Sequence, residues 1–288
     1  MDIDLLKTFL EVQQIRHFGR AAENLFLTQA AVSARIKQLE NIVGSPVFTR
    51  YRNNLQLTET GRRLVPHAQA IVIAWDRAKQ EVSLDRVNDI ILGVGAISGL
   101  WDLFLQESLN ESYREQQGIV WRAEAQPQDV LVRRLLDRTM DVAYLYESAK
   151  HSDIKSKPVR DLDLVLVSTP AVTGSLEEAL KRYVAVDWGT TFNIQFAKNF
   201  GNVPVLLHTQ LSKIALTFLL QHEGSAYLPI ELVNELIGDR FHINQEAPKI
   251  RRRIYACYHI ENKYEKQIQQ FISLSEQQLE EQGTVEEK

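Results

Sequence analysis

The sequence predicts an α/β chain in three parts: a mainly α head of winged helix-turn-helix form, a long linker helix, and a body of two α/β lobes. Three observations predict it. Helix-spaced apolar residues over the first 43 positions are broken twice by short turns. A 4-3-4-3-4 apolar seam follows from Leu64 to Val82. From Ile90 onward, short apolar strands alternate with helices.

Leu5, Leu6, Phe9, Leu10 and Val12 fall at helical spacing and open the chain with an amphipathic helix. Residues 18–25 give a short second helix, in which Ala21 and Ala22 are small enough for close packing. Thr28 is placed to cap a third helix, which runs to Val43 and ends at Gly44, where a left-handed residue closes it. Val32, Ile36, Leu39 and Val43 form its inward stripe, and Ala30, Ser33, Ala34, Lys37 and Asn41 its opposite face. Small side chains let such a face sit deep in a major groove, where Lys37 and Ser33 can bond phosphates or base edges. Gln29 stands at the end that reaches bases, and Arg35 on the flank suits phosphate. A solvated surface helix accounts for any one of these residues. The set, behind a helix and a turn, points to DNA.

Residues 47–50 and 55–57 read as two short strands, joined by Tyr51, Arg52, Asn53 and Asn54. Such a wing sets Arg50 and Arg52 beside the DNA backbone, although two asparagines are also plain turn chemistry. Thr58 then caps a long helix whose seam is Leu64, Ala68, Ile71, Trp75, Ala78 and Val82. The regularity of the seam favours a partner helix and a dimer over packing on the chain's own body. Pro66 inside this helix removes one backbone bond and predicts a bend. The expected parts are therefore a head over 1–58, a linker over 59–84 with a hinge at 85–89, and a body over 85–288.

In the body, residues 90–95, 119–125 and 142–146 read as strands, and 101–115 and 129–138 as helices. That order predicts right-handed crossovers and a mostly parallel sheet. A second series has strands at 162–167, 184–187, 203–207 and 225–228, with helices near 192–200 and 210–222. The expected lobes are 89–161 with 262–288, and 162–261. From Glu276 the tail reads as a solvated helix end that frays.

Ligands of such sheets sit at the carboxyl ends of the strands, against helix N-termini. Those ends hold Ile97, Ser98 and Gly99; Tyr146; Trp188, Thr190 and Phe192; and Thr209 and Gln210, the expected effector-binding residues. Ser98, Thr190, Thr191, Thr209 and Gln210 can bond a small anion or amide, although each is more often a plain helix cap. Trp101, Tyr144, Tyr146, Trp188 and Phe192 can line a pocket, although aromatics at such spacing are more often core. No strand end in this reading carries an arginine, so a dianionic ligand is not expected.

Composition bounds the function. The chain has 288 residues, 44% of them hydrophobic and 24% charged, which is ordinary for a globular protein. Its net charge of −4 hides a basic head: residues 16–63 hold eight Lys and Arg against three Glu. A basic head on an acidic body suits a polyanion partner. The start of the chain is acidic and lacks a signal-peptide pattern, and no run is long enough to span a bilayer, so a cytoplasmic protein with no membrane partner is expected. A single cysteine, Cys257, cannot form an internal disulfide. Seven histidines show no HExxH spacing, the serines no GxSxG elbow, and Gly93-x-Gly95 lacks a third glycine in register. No catalytic residue, metal or cofactor is expected, and a solute-binding protein fits the body but not the head.

The first 65 or so residues resemble the LysR-type transcriptional regulators. The resemblance rests on LLKTFLEV, HFGRAAENLFLTQAAVSARIKQLEN and VGSPVFTRYRNNLQLTETG, and within them on Ala21-Ala22, Thr28-Gln29, Val32-Ser33, Leu39-Glu40, Arg50, Leu57-Thr58 and Gly61. It implies a periplasmic-binding-protein-like body, a homodimer that pairs into a tetramer, double-stranded promoter DNA as partner, RNA polymerase as a further one, and a small effector between the lobes. Carried over by position, Gln29, Ala30, Ser33, Ala34 and Lys37 face the groove. Arg20, Thr28, Arg35, Arg50, Arg52, Asn53 and Asn54 complete the expected DNA-binding set. The chain departs from the family at Ala30, where many members have Pro or Ser, and in the wing at Tyr51-Arg52-Asn53-Asn54. Its one cysteine does not fit the mechanism of peroxide-sensing members. A regulator that needs no ligand, its body serving only oligomerisation, is the alternative.

Overall fold

A computed structural model of the chain describes residues 2–51, 54–82, 90–172 and 175–284. The expected hinge at 85–89 and the wing residues Arg52 and Asn53 lie outside them. The chain divides into two compact units, Met1–Val87 and Asn88–Lys288.

In the first unit, α1 (Ile3–Ile15) begins at Asp2, whose carboxylate accepts from the Asp4 N–H at 3.0 Å. Its apolar stripe, Leu5, Leu6, Phe9 and Val12, is buried. His17 caps α2 (Phe18–Asn24), accepting from the Arg20 N–H. Thr28 caps α3 (Gln29–Val43) through the Ala31 N–H at 3.2 Å, and Gly44, at φ 78°, closes it. Val32, Ile36 and Leu39 pack with Ala21, Ala22 and the α1 stripe into one core. The fourth residue of the expected stripe, Val43, is exposed, because it lies in the last turn beyond that core.

The wing strands β1 (Phe48–Tyr51) and β2 (Asn54–Leu57) pair antiparallel, Phe48 opposite Leu57 and Tyr51 opposite Asn54. Two bonds fix the wing to the helices. The Val47 N–H donates to Glu40 at 2.9 Å, and the Thr58 hydroxyl donates to the Pro46 carbonyl at 2.7 Å. The same hydroxyl accepts from the Gly61 N–H and so caps α4 (Glu59–Val82), a 24-residue helix with Pro66 inside it. Its first turn passes so close to the wing that a Cβ on Gly61 would lie 2.1 Å from the Val47 carbonyl oxygen.

The second unit is a mixed nine-stranded sheet with helices packed against it. The chain runs β3 (Ile90–Ala96), α5 (Ser98–Leu100), a π-helical turn (Trp101–Leu105), α6 (Gln106–Glu115), β4 (Ile119–Ala125), α7 (Gln128–Leu136) and β5 (Val142–Leu145). A long β6 (Ile154–Ser168) leads to α8 (Leu176–Lys181), β7 (Tyr183–Val186), α9 (Thr190–Phe200), β8 (Val205–Thr209), α10 (Ser212–Gln221) and β9 (Ser225–Pro229). The rest is α11 (Ile230–Val233), the short β10 (His242–Ile243), β11 (Ile250–His259) and α12 (Glu265–Thr284). Spatial order is β4-β3-β5-β11-β6-β9-β7-β8, with β10 on β6.

The sheet corrects the expectation of mostly parallel strands. β3 pairs parallel with β4 and β5, and β7 with β8 and β9, but β11 runs antiparallel to both β5 and β6, and β6 to β9. The two long central strands belong to both halves, so the expected lobe boundary at 161/162 falls inside β6. β11 is absent from the sequence reading because arginines at 251–253 interrupt its alternation: Arg252 occupies a buried-face position between Ile250 and Ile254. The chain closes on a long helix. α12 remains helical to Thr284, anchored by buried Ile268, Phe271 and Ile272, and Glu276 pairs with Lys157 at 2.8 Å.

The close approach at Gly61 makes a direct prediction. Gly61→Ala forces the wing away from α4 and destabilises the first unit by about 3 kcal/mol. Urea unfolding followed by circular dichroism reads this, and a loss below about 1 kcal/mol would contradict the packing described.

Candidate nucleic-acid interface and effector cleft

One face of α3 is buried and the other is free. Gln29, Ala30, Ser33, Ala34 and Lys37 are all exposed, as are Arg20 on α2 and Thr28 at the cap. Short side chains at 30, 33 and 34 leave this face shallow, with Lys37 at its centre and Gln29 at its N-terminal end. Two members of the expected set have other work within the unit. The Thr28 hydroxyl holds the start of α3. Arg35 is half-buried and reaches back to α1, to the Thr8 hydroxyl at 3.3 Å and Asp4 at 3.4 Å, because the flank of α3 faces that helix. In the wing, Arg50 lies on β1 opposite Leu55, and Asn54 is exposed.

The seam of α4 divides in two. Ala68 is fully buried and Leu64 half-buried against the helix-turn-helix core, so these two serve the unit's own packing rather than a partner. Farther along, Ile71 and Trp75 are 38% and 49% exposed and Val82 is 88% exposed, with Ala78 also exposed.

In the second unit a cavity of about 1150 Å³ opens where the parallel strands end. Its wall is built from the segments that follow β3, β4, β5, β7 and β8, with Arg251, Arg252, Arg253 and Tyr255 of β11 beside them. Ile97, Ser98, Gly99, Tyr146, Thr190 and Gln210 line it, as expected for strand ends. Trp188, Phe192 and Thr209 do not. The Trp188 indole is buried and donates to the Tyr227 carbonyl at 3.0 Å, and Phe192 stacks on Phe196 in the core. Thr209 turns inward to the Leu211 N–H. These aromatics sit on the core side of their chain segments, one residue out of phase with the cavity.

The sequence reading missed the strongest charge in this wall. Arg251 and Arg253 stand directly opposite Asp163 and Asp161 across the β11–β6 ladder and pair with them at 2.8 and 2.5 Å. Arg252 points to the other face and is 4% exposed. Its Nε donates to the Trp188 carbonyl at 2.9 Å and its Nη2 to the Tyr146 carbonyl at 3.2 Å and to Glu147 Oε1 at 3.4 Å. Burial pulls its guanidinium below the ordinary value, and Glu147 opposes that shift. An arginine is thus present in the cleft, but in mid-strand, where a search of strand ends does not look.

Glu147 follows β5 and closes the arrangement. Its Oε1 accepts from the Thr191 N–H at 3.0 Å and the Thr191 hydroxyl at 2.8 Å, at the first turn of α9. Burial resists its ionisation, but the Thr191 donors and then Arg252 outweigh it and hold the carboxyl below the usual carboxylate range. On the other side, Asp102 accepts from the Lys213 N–H at 3.0 Å and the Ser212 hydroxyl at 3.3 Å at the start of α10. The Tyr146 hydroxyl is buried and has no hydrogen-bond partner among the described residues. Burial, with Arg252 opposing, pushes its pKa far up, so it remains a neutral donor and acceptor.

An exposed helix face behind a helix and turn, with a wing beside it, and a separate α/β unit with a polar cleft define a DNA-binding regulator with a ligand-binding body. Comparison with known proteins agrees. Residues 3–62 match the bacterial regulatory helix-turn-helix protein model of the lysR family, and residues 91–280 match the LysR substrate binding domain. The HTH-type transcriptional regulator HdfR of Yersinia enterocolitica is 35% identical over 269 residues, covering 90% of each chain. The crystal structure of CbnR, a LysR family transcriptional regulator, superposes with a TM-score of 0.71 at 17% identity, over 96% of this chain and 99% of that one. Full-length CbnR in complex with its target DNA gives 0.69 at 16% identity, over 96% and 100%. The chain belongs to the LysR family and is a DNA-binding transcriptional regulator with a substrate-binding domain. No described helix is long and apolar enough to cross a membrane.

The buried and exposed arginines of β11 should behave differently. Arg252→Met leaves two carbonyls without their donor and Glu147 without its cation, and should destabilise the second unit by about 3–5 kcal/mol. Arg251→Ala, which removes an exposed pair, should change stability by about 0–1 kcal/mol. Parallel urea titrations of the two variants measure the contrast, and equal losses would refute it.

Proposed function

We propose that the exposed face of α3 enters a major groove of promoter DNA, that two chains pair through the outer half of the α4 seam, and that the cleft of the second unit binds a small effector. The observation that carries the last part is the cavity of about 1150 Å³ lined by strand ends, with a buried arginine and an unpartnered buried hydroxyl in its wall. In the groove, Gln29 and Ser33 read base edges, and Ala30 and Ala34 allow close approach. Lys37 and Arg20, with Arg50, Arg52, Asn53 and Asn54 of the wing, hold phosphates. Ile71, Trp75, Ala78 and Val82 bury their exposed surface in a homodimer, and dimers pair into a tetramer on partly palindromic sites. Effector binding changes the spacing of the paired heads, and RNA polymerase at the same promoter senses the result. Such a protein works in the cytoplasm, where its DNA is.

A footprint on the DNA upstream of its own gene, at two salt concentrations, tests the first part. A protected, partly palindromic site whose affinity falls steeply with salt is expected. Lys37→Ala should lower the slope of log affinity against log salt by about 1, whereas Gln29→Ala should change which sequences are preferred. A uniform loss for Gln29→Ala would reassign it to phosphate. For the dimer, Trp75→Asp should halve the mass seen by light scattering, and an unchanged mass would remove the seam from the interface. For the effector, a thermal-shift screen of metabolite pools should find a stabilising compound, and the absence of any hit would leave a ligand-free regulator.

A further inference from the structure

The cleft holds an anion site that the chain fills itself. The first turn of α9 presents the Thr191 N–H and hydroxyl, Gly189 at its cap has no side chain to offer, and Arg252 is buried beside it. Two backbone carbonyls accept from the Arg252 Nε and Nη2 but do not balance its charge. Glu147 is the one carboxylate paired with it among the described residues. A helix start and a buried guanidinium together need a negative group, and Glu147 Oε1 takes all three donors. Glu147 also lines the cavity, and its other oxygen, Oε2, makes no hydrogen bond among the described residues. In the same wall, the unpartnered Tyr146 hydroxyl lies 3.2 Å from where a Cβ on Gly99 would be.

We propose that Glu147 is the specificity-determining residue of the cleft: it stands where an acidic effector group would bind, so the effector presents a hydroxyl, amide or ammonium donor at that end and carries no acid there. The unbonded Oε2 is the acceptor for that donor, and the Tyr146 hydroxyl serves a polar group beside Gly99. A carboxylate brought against Glu147 would meet a like charge at a site whose donors are already engaged. The cleft therefore rejects small dicarboxylates although an arginine lies in its wall. This rests on the effector reading given above.

The test uses acetate as a free stand-in for the missing carboxylate. Thermal unfolding of the full chain is followed in sodium acetate and in sodium chloride at equal ionic strength. The wild-type protein should show no acetate-specific change, and succinate should also have none. Glu147→Ala empties the subsite, and its melting temperature should rise by about 2–4 °C in acetate over chloride. Glu147→Ser retains an oxygen at the start of α9, carries the same expectation, and serves where the alanine variant does not fold. A folded truncation variant indifferent to acetate would overturn the proposal, as would stabilisation of the wild type by succinate. Acetate reads this subsite without any effector. A metabolite screen without hits, beside a clear acetate response, would remove the effector reading and leave the filled anion site standing.

Discussion

Arg252 sits on β11, the strand that pairs with β5 on one side and β6 on the other, and its guanidinium reaches the carbonyls of Tyr146 and Trp188 and the carboxylate of Glu147. A cation so buried is tolerable only with carbonyl acceptors and an opposite charge at hand. That requirement ties three distant stretches of chain to one point: the end of β5, the segment after β7, and the centre of β11. These stretches are walls of the cleft. Its shape is therefore set by the demands of one charge as much as by the apolar core beneath it, where Trp188, Tyr227 and Phe192 pack. The neighbouring arginines show the contrast. Arg251 and Arg253 pair across the ladder on the other face, where water shares the task of solvating them.

Among its described residues the first unit has no such buried charge, and it relies on capping and close packing. α3 has two duties on opposite faces, and the buried one constrains the exposed one. Val32, Ile36 and Leu39 fix the rotation of the helix, which decides that Gln29, Ser33 and Lys37 face outward. The Glu40 and Thr58 side chains then tie the helices to the segment that leads into the wing, so the exposed face of α3 and the wing, the surfaces proposed for DNA, are held at a set spacing. A reader of this kind loses little conformational freedom when it binds.

Much of this unit was legible in the sequence because its signals are local. Thr28, Gly44 and Thr58 act as caps within a few residues of the bonds they make, and the α3 stripe follows from helical period alone. Arg35 was not legible as a partner of Asp4 and Thr8, since those residues belong to another helix. The outer seam of α4 and its inner half look alike in sequence; only the position of the core separates buried Ala68 from exposed Trp75. In the body, strand ends were found by rhythm, and six of nine expected cleft residues line the cavity. Trp188, Phe192 and Thr209 were misplaced because a one-residue change of phase moves a side chain from cleft to core. β11 and Arg252 were missed for a different reason. A charged residue on a buried face reads as loop until its partners, more than 60 positions earlier in the chain, are known.

Asp102 and Glu147 belong to the half of the sheet that holds β3 and β5, and each grips the start of a helix in the other half, α10 and α9. The halves cannot part without exposing both helix starts. Any motion that spreads the halves must therefore break two charge-assisted contacts first. Such contacts slow the motion itself. The two contacts thus act as a latch between the halves, one that either carboxylate releases when it lets go of its helix.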